Sequence, residues 1–94
     1  MDIPQQFRYI ARRMHQDIDR ILPAGSGKDE FIEYLLRGLP NSQRELAARF
    51  IDKSLSSNLT TQELIALWTK AGADWYMTES NVVPFLEQLR DALR

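Results

Sequence analysis

The chain has no cysteine. Disulfides and thiolate metal sites are therefore excluded, and small secreted domains lean on disulfides often enough that a cytoplasmic setting is favoured. Long apolar runs are missing too: nothing approaches the roughly 20 residues that a spanning helix requires. The N-terminus, with Asp2 followed by Arg8, Arg12 and Arg13, does not read as a signal peptide. Charge of one sign is also lacking. Twelve basic residues face thirteen acidic ones, for a net −1, which gives no general pull toward nucleic acid or membrane.

What is present fits a small folded domain. Ninety-four residues allow one core and no second. A chain of this size buries roughly 60–65% of its unfolded surface, enough to fold alone with little to spare. Apolar residues at 44% and charged residues at 27% sit near globular averages and argue against general disorder.

Five segments show helical spacing, and none shows sustained alternation. Phe7, Ile10, Ala11, Met14, Ile18, Ile21 and Leu22 form the stripe of the first, which Pro4 starts and Pro23-Ala24-Gly25-Ser26-Gly27 stops. The second runs from about Lys28 to Arg37, with Phe31, Ile32, Leu35 and Leu36 inward and Gly38 as a left-handed cap. Ser42-Gln43-Arg44-Glu45 has the form of a capping box for the third, which continues through Ala47, Phe50, Ile51 and Leu55 to Ser56-Ser57-Asn58. Thr60-Thr61-Gln62-Glu63 repeats that logic for the fourth, whose inner face is Leu64, Leu67, Trp68 and Ala71 before Gly72. The fifth begins near Ser80 or Asn81, because Pro84 is tolerated only in a first turn. It carries Val82, Phe85, Leu86, Leu89 and Leu93. Five short helices with brief connections imply an all-α domain, packed as a bundle or orthogonally.

Chemical motifs are weak. Gly25-Ser26-Gly27-Lys28 lacks the second glycine spacing of a phosphate loop, is followed by Asp29 and follows a helix, so it reads as a linker. His15 has Asp17 and Asp19 close by, but helical residues two apart point away from each other, and a metal needs three or four convergent ligands. A solvated histidine on the flank of the first helix is the simpler reading. No serine has an evident base. A helix-turn-helix reading of Ser42 to Ala47 fails because the third segment runs on through Phe50 and Ile51 and the fourth offers only Lys70.

Two surfaces remain. Arg8, Arg12, Gln16 and Arg20 follow each other at four-residue steps, a ridge for phosphate or for an acidic partner. The plainer reading is an outer face with Arg13–Asp17 as a helical pair, since Asp17 and Asp19 dilute the field. Trp75 and Tyr76 lie off any stripe, in the link from Ala73 to Ser80. They either plug the core or anchor a contact, as tryptophan and tyrosine do at binding hot spots.

From Leu46 to Leu93 the chain resembles small helical immunity proteins of bacterial contact-dependent growth inhibition. The features are a capping-box helix ending Leu67-Trp68, the link Ala73-Asp74-Trp75-Tyr76, and Phe85-Leu86-Glu87-Gln88-Leu89-Arg90-Asp91-Ala92-Leu93. The resemblance implies a cytoplasmic protein that binds and blocks a secreted toxin domain, often a nuclease. Inhibitors of nucleases tend to present acidic surface to a basic cleft. Here only a local acidic face is available: Asp74, Glu79, Glu87 and Asp91 against Arg90 and Arg94, with Asp29, Glu30 and Glu33 in the second segment.

The sequence thus predicts a single all-α domain over residues 1–94 with four or five helices. In function the resemblance implies an immunity protein that binds a toxin domain, and the missing catalytic motifs lead us to expect no enzyme, cofactor or metal. The expected contact residues are Asp74, Trp75, Tyr76 and Glu79, joined by Asp29, Glu30 and Glu33. The alternative is a helical regulator that touches nucleic acid through Arg8, Arg12, Arg13 and Arg20.

Overall fold

The computed structural model describes residues 2–14, 28–74 and 77–94, the side chains of Lys28 and Asp29 excepted. Every regular element among them is a helix: α1 Gln5–Arg12, α2 Lys28–Leu36, α3 Asn41–Leu55, α4 Thr61–Lys70 and α5 Val82–Leu93. The all-α expectation holds. No described helix is long and apolar enough to cross a membrane.

Helix α1 starts where Pro4, extended at φ −69° and ψ 153°, offers its carbonyl to the amides of Phe7 and Arg8, both at 3.1 Å. It ends in a tightened turn, with Met14 N donating to Ala11 O at 3.0 Å. The remainder of the predicted first stripe, Ile18, Ile21 and Leu22, lies outside the described residues. Gly38 takes φ +87° after α2 and Gly72 takes φ +118° after α4, the left-handed conformations that a helix stop favours in glycine. Asn58, at φ +58°, does the same after α3.

One of the two capping boxes forms. Thr60 Oγ1 accepts from Glu63 N and Glu63 Oε1 accepts from Thr60 N, each at 3.1 Å. The other does not. Pro40, not Ser42, is the boundary residue of α3, so Ser42 already lies inside the first turn and makes no cap bond. Glu45 pairs instead with Arg49, one turn on, at 3.2 Å. Pro84 sits third in α5, within the first turn as its missing amide requires.

Helix α3 is central: it packs most extensively on α5 and next on α1, while α5 also meets α4 and α2. Four rings run through the shared core. Phe50 meets Phe7 with centroids 4.9 Å apart, Phe7 meets Trp68 edge-on at 5.4 Å, and Trp68 meets Phe85 edge-on at 5.4 Å. One residue from each of α3, α1, α4 and α5 thus contributes to a single aromatic train, the geometry that ring quadrupoles prefer. Trp68 is 1% exposed, yet its indole N–H has no hydrogen-bond partner among the described residues. Asp52 fastens α3 to the last turns of α5, accepting from Arg90 at 3.1 Å and from Arg94.

Candidate functional site

Helix α2 and helix α5 touch only lightly, and the gap between them is an apolar recess. Its floor is Met14, Ile32 and Met77, and its walls are Phe31, Pro84 and Phe85, with Asn81 and Gln88 at the edge; the volume is about 330 Å³. Ile32 and Gln88 also line a second recess with Glu33, Leu36, Arg44, Asp91 and Ala92. Together the two make a groove along the α2–α5 seam. The described residues of its apolar end carry no titratable side chain.

Local structure explains why these side chains meet. The amide of Asp74 donates to the Met14 carbonyl at 2.8 Å, so the link after α4 is clipped to the end of α1. That clip brings Met77 alongside Met14, and both are buried. Next, Asn81 Oδ1 accepts from Thr78 N at 2.9 Å and closes a turn through Glu79 and Ser80 that launches α5. Phe85 then lies one turn into α5, packed against Trp68 on one side and facing the groove on the other.

The residues expected to bind a partner separate into two groups. Glu33 is exposed on α2 and lines the groove, and Glu30 is exposed one turn earlier. Asp74 is exposed beside the clip. Glu79 is exposed but lines a different recess, on the α4 side, with Gln62, Ile65, Thr78 and Ser80. Met77 contributes to both recesses and stands between them. Trp75, Tyr76 and the side chain of Asp29 lie outside the described residues. So the structure gathers Glu33 to the groove and sets Glu79 on another face.

Phe31 and Phe85 were read from the sequence as inner-face residues. They are half-buried and form the groove walls. Their position at the edge of each apolar stripe was the available signal.

The arginine ridge is also partly visible. Gln5, Arg8, Tyr9, Arg12 and Arg13 line a recess of about 590 Å³ on α1. Gln16, Asp17, Asp19, Arg20 and His15 lie outside the described residues, so the expected Arg13–Asp17 pair does too. Arg13 donates through Nε to the Tyr34 carbonyl at 3.0 Å, with its guanidinium 4.6 Å from the Tyr34 ring centroid and 5.6 Å from that of Tyr9. Among the described residues no group of three or more histidine, aspartate or glutamate side chains is placed to hold a metal ion.

No protein-family model matches this sequence, and neither a curated protein nor a solved structure matches it.

Proposed function

We propose that this chain is an immunity protein that neutralises a secreted toxin domain by binding it through the α2–α5 groove, without chemistry of its own. The observation that carries the reading is the groove itself. It combines half-buried aromatic walls, a methionine-lined floor and an exposed carboxylate at its margin. Aromatic anchors in a concave site supply most of the energy of a protein contact, and methionine adapts its shape to what enters. Glu33, with Glu30 one turn away, gives this margin an acidic character that would speed encounter with a basic surface. The resemblance of Leu46 to Leu93 to immunity proteins of contact-dependent growth inhibition supplies the class of partner.

The experiment pairs the chain with the C-terminal domain of a secreted toxin encoded next to its gene. Co-expression should rescue growth, and calorimetry should give a one-to-one complex. Gln88→Trp, which fills the groove from the half-exposed side of α5, should weaken the complex at least tenfold, about 1.4 kcal/mol, with the melting temperature unchanged. A toxin that kills regardless of the chain would end the immunity reading. A complex indifferent to Gln88→Trp would move the interface elsewhere.

A further inference from the structure

We infer that the α1 recess is a phosphate-binding site, built from the guanidinium groups of Arg8, Arg12 and Arg13 with Tyr9 and Gln5 beside them. The inference is independent of the α2–α5 groove.

The first ground is the concentration of charge. Among the described residues, ion pairs occur at Arg49–Glu45, Arg90–Asp52, Arg90–Asp91 and Arg94–Asp52. None of these pairs involves Arg8, Arg12 or Arg13. In a chain of net −1, three like charges collected on one helical face are a local concentration and not a consequence of basic composition. Helical neighbours of like charge repel, and a bound anion removes that cost.

The second ground is preorganisation. Arg13 is held by the Tyr34 carbonyl at Nε and stacked between Tyr34 and Tyr9. Arg8 donates through Nε to the Ile3 carbonyl at 3.3 Å. In both, a backbone carbonyl takes the inner nitrogen and fixes the plane of the fork. Tyr9 is itself fixed, its hydroxyl donating to the Arg37 carbonyl at 2.6 Å. The stem of Arg12 crosses Gly72 so closely that a Cβ there would lie 2.9 Å from its Cγ. Ordered side chains lose less entropy when a ligand arrives.

The third ground is the ligand chemistry the donors fit. The described lining holds arginine and no lysine, and the planar guanidinium fork matches phosphate oxygens two at a time. Three such forks exceed what one carboxylate can accept and suit a group with several anionic oxygens. At about 590 Å³ the recess is within the size range of small-ligand sites. Phosphate oxygens of this kind come from a free phosphorylated compound or from a single nucleic-acid strand.

The test is calorimetric titration of the whole chain with inorganic pyrophosphate, with a short oligothymidylate and with polyglutamate. Pyrophosphate or the oligonucleotide should bind, and Arg12→Gln and Arg8→Gln should each weaken that binding at least tenfold while the melting temperature holds. Arg12→Lys should recover only part of the loss, because it restores the charge and not the fork. With the oligonucleotide, log K should fall with log salt, and Arg12→Gln should lessen that slope by about 0.7, the contribution of one single-strand phosphate contact. Pyrophosphate binding alone assigns a free phosphorylated ligand; tighter oligonucleotide binding assigns a nucleic-acid strand. Polyglutamate binding as tightly as either, binding of neither phosphate probe, or binding indifferent to both glutamine substitutions overturns the inference.

Discussion

Asp74 and Met14 are joined backbone to backbone, amide to carbonyl, at 2.8 Å. Neither residue is in a helix. The bond is nonetheless what holds the link after α4 against the end of α1, with buried Ala73 on one side and buried Met77 beyond. Both candidate surfaces border this junction: Met14 floors the α2–α5 groove, and Arg13 lines the arginine recess.

The Asp74 amide should therefore exchange with solvent deuterium far more slowly than its loop position suggests. Protection of a tertiary bond tracks the stability of the elements it joins. The Thr78 amide, bonded to the exposed Asn81 side chain, is the internal comparison and should exchange faster. Equal, rapid exchange at both would mean that the clip opens readily.

Trp68 should show an unusual mutational pattern. Trp68→Ala removes a ring that contacts both Phe7 and Phe85 and should cost about 3–5 kcal/mol. Trp68→Phe should cost only about 1 kcal/mol, because it also discards a buried donor whose unmet hydrogen bond is worth about 1–3 kcal/mol. Urea denaturation of the two variants measures both. A large loss in the phenylalanine variant would mean that the indole N–H is satisfied in solution.

Gly38→Ala should destabilise by about 1–3 kcal/mol, combining the left-handed backbone cost of about 1–2 kcal/mol with a steric one. A Cβ at Gly38 would lie 2.7 Å from the Tyr9 hydroxyl oxygen. The same substitution in a Tyr9→Phe background should cost less, because the clashing atom is gone. The double-mutant cycle reads that coupling.

The two serine/threonine–glutamate boxes should behave differently. Thr60→Ala should cost about 1 kcal/mol, as loss of a helix cap does. Ser42→Ala should change stability by less than about 0.5 kcal/mol, because Ser42 caps nothing. Matched thermal melts distinguish them.

This contrast shows how far the sequence carries. Caps, glycine stops and three-to-four spacing placed a helix at each of the five described ones, because those signals are local, but α1 stops at Arg12 where the apolar spacing runs on to Leu22. The Ser42 box does not form because Pro40 sets the helix boundary two residues early, and a box is only a pattern until the boundary is known. Phe31 and Phe85 were assigned inward because they follow the apolar period. Whether a stripe's edge meets another helix or a gap depends on how α2 and α5 lie against each other, which no local spacing encodes. Glu33 and Glu79 look equivalent as exposed acids, and only the turn through Ser80 places them on different recesses.

Trp68 also gives the protein an optical gauge. It is wedged between two rings in the core. With Trp75→Phe as background, its emission should lie at short wavelength and resist quenching by iodide. A ligand that fills either recess without altering that colour leaves the helices where they are. One that reddens it has prised α4 from α1 or α5, so a single spectrum distinguishes surface docking from a rearranged interior.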